Sequence, residues 1–302
     1  MHLRAPSSAD ASAIFEVILE RDLADLGFAD FTLEDLREEW SRSGFDLTAD
    51  AVLCEDEDHG VIGYASIRRT HSLAVVAPKH EGRGVGTLLR VWVEAREREL
   101  AREHHRQGVG TTETRAKKLL LDAGYIWERS YSRMQLALDD LAHASVRLPG
   151  VTLRELEPAG DAHAVYKLDA ISFAESADYI PISFEAFVEE HLEGHDFASK
   201  LSAVAESDAE LVGFLLARRW ETELVGFVDV LAVSPSHQRR GVGSALLQRA
   251  FALFAEAGLR EAQLGVASSN PRALVLYERL GMTPRFRIDT YARPVADASE
   301  TA

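Results

Sequence analysis

One cysteine, three methionines and no apolar run long enough to cross a membrane are found among the 302 residues of this chain. The lone Cys54 excludes an internal disulfide and any cysteine-rich metal site, and within AVLCE it reads as a small buried residue on a strand. The opening MHLRAPSSAD has no signal-like apolar core, so a reducing cytoplasm is the expected location and no membrane contact is expected. Positive charge is scarce: 33 Lys and Arg stand against 49 Asp and Glu, a formal net charge of −16. That balance argues against nucleic acid as a partner, while leaving room for a local arginine patch that holds a phosphorylated ligand. No metal is expected either, because His104 and His105 are adjacent without further ligand spacing and read as surface residues.

A glycine-rich junction occurs twice, as PKHEGRGVGTLL from Pro78 and as PSHQRRGVGSALL from Pro235. Each copy follows a short apolar run and leads into a helical pattern. The spacing of 157 residues (235 − 78) points to two related domains. With 46% hydrophobic and 27% charged residues, two ordinary cores fit the length. The expected division is 1–140, a linker at 141–150 rich in small and turn-forming residues, and 151–302. Within each part, hairpin-like connections alternate with crossovers, which predicts an α/β fold with a mixed central β-sheet flanked by helices. Thr32 is placed to cap a helix, Pro271 to begin one, and Gly124, Gly258 and Gly281 to stop others.

The junction suits an anion. Gly241 and Gly243 permit close backbone approach, the amides of Val242, Gly243 and Ser244 open a helix, and Gln238, Arg239 and Arg240 add donors at the entrance. Neither copy ends in GKS or GKT, and neither has full GxGxxG spacing, so nucleotide P-loops and dinucleotide folds fit poorly. A tight turn chosen for packing alone is the plainer reading of one copy; repetition after the same kind of strand favours the anion.

QRRGVG resembles the coenzyme A motif of the GCN5-related N-acetyltransferase (GNAT) superfamily. The likeness extends through VDVLAVSPSHQRRGVGSALL and SSNPRALVLYERLGM, in the family's order. It implies two tandem GNAT-like domains and an acetyl-CoA cosubstrate lying where two strands splay apart. It further implies pantetheine against the backbone of Leu231, Ala232 and Val233, pyrophosphate on the amides from Arg239 to Ser244, and Asn270 nearby. By the same resemblance Tyr277 is the general acid for the departing thiolate and Asp229 a candidate base. Glu221 and Glu223 are alternatives for holding a cationic acceptor, His237 reads as an anion contact or exposed residue, and the loop of Glu175, Asp178 and Tyr179 borders the acceptor. In the first copy Glu81 stands at the position of Gln238, Glu113 at that of Asn270 and Leu120 at that of Tyr277. The amino-terminal domain therefore reads as degenerate or accessory. The expected activity is acetyl transfer to an amine of a small molecule by direct attack, the alternative being a noncatalytic acyl-CoA-sensing or partner-binding protein. Monomer and homodimer stay open.

Overall fold

The computed structural model describes residues 1–139, 148–176 and 179–295. By chain order the elements run β1 (His2–Arg4), α1 (Ala11–Asp25), α2 (Leu33–Ser41), α3 (Leu47–Asp50), β2 (Ala51–Asp56), β3 (Gly60–Ile67), β4 (Ser72–Val76), α4 (Val85–Glu99), β5 (His104–Gly110), α5 (Thr114–Asp122) and β6 (Ile126–Ala137). The second repeat follows as β7 (Thr152–Glu155), α6 (Pro158–Phe173), α7 (Phe184–His191), β8 (Ala203–Ser207), β9 (Glu210–Trp220), β10 (Val225–Val233), α8 (Val242–Glu256), β11 (Glu261–Ala267), α9 (Pro271–Arg279) and β12 (Thr283–Pro294).

The chain forms two compact units, but neither is a contiguous stretch. One is Met1–Tyr131 with Phe286–Ala302, the other Ser132–Arg285. The first has strand order β1-β2-β3-β4-β5-β12, and the second β6-β11-β10-β9-β8-β7. Residues 288–294 of β12 pair antiparallel with β5, from Ile288 opposite Gly110 to Pro294 opposite His104. In the second unit the amide following β6, that of Leu138, donates to the Arg260 carbonyl beside β11 at 2.9 Å. The sequence division at 141–150 differs because strand pairing is not local: the last strand of each repeat joins the other unit's sheet. Residues 140–147, most of the expected linker, lie outside the described residues.

Each sheet is mixed. β4–β5 and β10–β11 are parallel, while β1–β2, β2–β3, β3–β4, β5–β12, β7–β8, β8–β9 and β9–β10 are antiparallel. In the second unit one face packs Leu246, Leu247, Phe251 and Phe254 of α8, and the other packs Val165, Leu168 and Phe187 of α6 and α7. The first unit repeats this with Leu89 and Val93 of α4 on one face and Ile14, Val17 and Ile18 of α1 on the other. Burying each such side chain contributes roughly 1.5–3 kcal/mol. The helix ends follow their predicted chemistry. Thr32 Oγ1 accepts from the Asp35 amide at 3.1 Å while Asp35 accepts from the Thr32 amide at 2.8 Å, a reciprocal cap. Cys54 is fully buried on β2. His105, expected at the surface, is buried on β5 because its Nδ1 meets the buried Glu97 carboxylate at 2.7 Å.

Candidate active site

In the second unit, β10 and β11 run parallel only from Val225–Glu261 to Val228–Leu264. Beyond that point β10 continues beside β9 alone, as far as Val233 opposite Gly213. Leu231, Ala232 and Val233 therefore lie where the sheet has split, with one edge of their backbone free of β11. The split coincides with a bulge: Val228 pairs with Ala217 and Val230 with Leu216, leaving Asp229 as the extra residue. The bulge also exchanges faces, since Val228 packs toward α8 whereas Val230 packs toward α6 and α7.

The turn that follows is left-handed at two positions, Arg239 (φ +62°) and Gly241 (φ +87°). A Cβ on Gly241 would be strained there by about 1–2 kcal/mol. Gly241 is the N-cap of α8 and no side chain caps that end. The first amides of a helix have no partner within it, so those of Val242, Gly243 and Ser244 supply donors beside the positive end of the dipole. In the first unit the same two positions are Gly82 (φ +73°) and Gly84 (φ +88°), so the two turns share one backbone form. Gln238 folds back onto β10. Its Nε2 donates to the Val233 carbonyl at 3.3 Å and ties the turn to the strand. Asn270 is used similarly, its Oδ1 accepting from the Ala273 amide at 3.1 Å to cap α9. The His237 ring meets Ser236 Oγ at 2.9 Å in the exposed start of the turn.

Tyr277 lies two turns along α9 and is buried. Burial pushes its phenol up to about 12, which keeps the proton on the oxygen at neutral pH. No hydrogen bond to this hydroxyl occurs among the described residues.

Asp229 is held by a network. Its Oδ2 lies 2.8 Å from His191 Nδ1, and Arg218 reaches it through Nε and Nη2 at 3.2 Å each. Arg218 also donates to Asp196 at 2.6 Å and to the Glu190 carbonyl at 2.7 Å, while Trp220 Nε1 donates to Asp196 at 3.0 Å. Burial would raise the Asp229 carboxyl, but His191 and Arg218 together bring it down to about 2. The reciprocal effect raises His191, against its own desolvation. Asp169, on α6, is pushed up to about 6 by burial, with His191 opposing that rise. Sequence reasoning reached Asp229 and missed His191 and Arg218. The visible signal was that His191 ends the Ser183-capped helix, but nothing local ties it to a residue 38 positions away. Glu221 is exposed and pairs with Arg219 at 2.8 Å, so it does not join the cluster. Asp178 lies outside the described residues.

The first unit shows a cavity of about 470 Å³ at the equivalent split, where β4 and β5 have Ser72–Gln107 as their parallel pair. Leu120 takes the place of the tyrosine and is buried. Glu81 bonds Arg21 and lies 2.9 Å from Arg115.

The Acetyltransferase (GNAT) family model matches residues 163–282, which contain the bulge, the turn and Tyr277. Mycothiol acetyltransferase of Streptomyces avermitilis is 31% identical over 232 residues, covering 73% of this chain and 72% of that protein. The mycothiol acetyltransferase of Beutenbergia cavernae is 30% identical, covering 79% and 82%. Among solved structures, a GCN5-related N-acetyltransferase from Sphaerobacter thermophilus superposes with a TM-score of 0.81 at 26% identity, covering 98% and 96%. A tandem GNAT protein from the clavulanic acid pathway shares the fold, with a TM-score of 0.72 at 15% identity over 98% of this chain and 100% of that one. The chain belongs to the GNAT family of N-acetyltransferases.

Proposed function

We propose that the carboxyl-terminal unit acetylates a primary amine of a small molecule, with acetyl-CoA held along the split between β10 and β11. The observation that carries this is the coincidence, at one split in the sheet, of an uncapped left-handed turn with the Asp229–His191 pair. The residues present fit the cosubstrate: amides at Val242, Gly243 and Ser244 for the pyrophosphate, and the free edge at Leu231–Val233 for the pantetheine amides. Arg239 and Arg240 supply charge at the rim; Gln238 and Asn270 act by holding the turn and the α9 cap. Acetyl-CoA supplies the thioester carbonyl that a neutral amine attacks.

A carboxylate brought down to about 2 is a weak base at neutral pH, so Asp229 serves as a positioning residue. It accepts the Nδ1 hydrogen of His191, which leaves the lone pair on Nε2 to take the amine proton, directly or through water. Tyr277 gives its phenolic proton to the leaving thiolate. The names of the curated relatives make des-acetylated mycothiol the first acceptor to assay, and a cytoplasmic enzyme is consistent with the absence of any membrane-crossing helix among the described residues.

Calorimetric titration of acetyl-CoA into the full chain and into Gly241→Val tests the reading. Binding to the parent that falls at least about tenfold in the variant is expected, since a side chain is strained at φ +87° and disturbs the turn. Equal binding to both would remove the proposed cradle.

A further inference from the structure

The cavity of the amino-terminal unit carries three carboxyl groups beside its glycine turn. Its polar end gathers Arg21 and Asp25 of α1, Glu81 of the glycine turn, and Glu113 at the start of α5. Arg21 lies 3.1 Å from Asp25 and 3.3 Å from Glu113 and bonds Glu81, whose other oxygen lies 2.9 Å from Arg115. All four side chains are largely buried, whereas the remaining cations of the lining, Arg115 and Lys118, are 72% and 76% exposed. Water therefore screens the outer cations and leaves Arg21 as the buried cation among three carboxyl groups. The imbalance is felt at Asp25. Burial and the hydrogen bond it shares with Glu113 push its carboxyl up to about 7, so Asp25 holds a proton part of the time near neutrality.

A second feature points into the same place. Gln107 stands at the centre of β5, is 6% exposed and belongs to the cavity lining. Among the described residues its Nε2 has no hydrogen-bond partner, and neither does the buried Nε of Arg21. A buried amide donor without a partner costs about 1–3 kcal/mol, a penalty that an incoming oxygen would relieve. Between these polar groups the walls are apolar: Val75 and Val76 of β4, Val109 of β5, and Leu119 and Leu120 of α5. The volume of about 470 Å³ falls in the range of small-molecule sites.

We infer that this cleft binds a small primary amine, its ammonium seated among Asp25, Glu81 and Glu113 and a carbonyl or hydroxyl oxygen of the same molecule accepting from Gln107. The ammonium replaces the proton shared by Asp25 and Glu113. Glu81, which stands where the other unit has Gln238, repels a phosphate at the turn and attracts a cation. Leu120 in place of the tyrosine leaves the site without a phenol to protonate a leaving group. The amino-terminal unit is thus a binding site for an amine, and it stands independently of the acetyl-transfer reading.

Calorimetry with N-acetylputrescine, a primary ammonium joined to an amide carbonyl by a short chain, tests it on the full-length protein at pH 7. One molecule should bind, with net release of protons, read from the heats in PIPES and ACES buffers. Asp25→Asn should abolish the proton release, and Asp25→Asn, Glu113→Gln and Gln107→Leu should each weaken binding about tenfold or more. His191→Gln, in the other unit, should leave the affinity unchanged. Melting temperatures identify any variant that fails to fold, and the remaining two then decide the matter. No binding to the parent chain would overturn the inference. So would binding indifferent to the carboxyl and Gln107 variants, or binding lost in His191→Gln. Displacement of the amine by coenzyme A in a Gly241→Val chain would instead mark the cleft as a second coenzyme groove and equally overturn it.

Discussion

Arg218 faces Phe227 across the β9–β10 ladder, yet its guanidinium lies 3.2 Å from Asp229, two residues further along. Residues two apart share a strand face, so Arg218 reaches diagonally across the ladder and, with His191, fixes the carboxylate at the bulge. Asp229 then sets the state of His191, from which the first prediction follows.

The rate of acetyl transfer should rise with pH as His191 loses its proton. Because Asp229 raises the His191 pKa, Asp229→Asn should move this rise to lower pH, while His191→Gln should remove it and lower kcat by about 10²- to 10⁴-fold. A pH–rate profile of kcat with saturating amine checks both. An unchanged profile in Asp229→Asn would remove its positioning role.

Stability should respond to the same network with a definite sign. Asp229 is depressed in the fold, so its contribution is present above the ordinary carboxylate range and lost as pH falls through about 2. His191 is raised, so its contribution is present below the unfolded pKa and lost as pH rises through the folded one. Asp229→Asn leaves Arg218 with Asp196 as its remaining carboxylate and should destabilise by roughly 3 kcal/mol at neutral pH. Denaturant melts at pH 5 and 7 measure this.

Tyr277→Phe separates chemistry from folding. The hydroxyl carries no hydrogen bond among the described residues, so the melting temperature should be nearly unchanged. Loss of the acid should lower kcat about 10²-fold or more with little effect on the KM for acetyl-CoA. A variant that melts many degrees lower would show that the hydroxyl has a structural task instead.

Ending the chain after Arg285 should damage the unit at the other end of the sequence. It removes the antiparallel partner of β5 and the Asp289 carboxylate, which accepts from Lys117 at 2.7 Å and from buried Ser130 at 2.6 Å. Hydrogen exchange should show β5 amides losing protection ahead of β8 and β9. Equal protection in both units would contradict this.

Sequence patterns were enough for the duplicated turn, the mixed sheet and the helix caps, because each rests on residues close together along the chain. Glycine at a left-handed position and proline at a first helical turn are local demands, and both were readable. β6 was not, since IWERSYSRMQLA interrupts its alternation with charge and carries no turn signal. The destination of β12 was hidden for another reason: its alternating sequence marks a strand but says nothing of which sheet receives it. His191, Arg218 and Asp229 likewise come from three separate elements, and nothing in VGFVDVLAV says which distant side chains reach its aspartate. In the first unit, Glu81 and Glu113 were legible as departures from the other copy, but Arg21, Asp25 and Gln107 come from separate elements and needed the fold to join them.

The place of β12 also sets a clock on synthesis. β5 is made about 180 residues before its neighbour (288 − 110 = 178), a wait of roughly 10–35 s at ordinary translation rates. Through that interval the edge of β5 lacks the neighbour it has in the finished protein, and such edges invite pairing with other nascent chains. The short β5, bearing His104, His105 and Arg106 at its start, is thereby a segment that depends on protection while the ribosome is still at work.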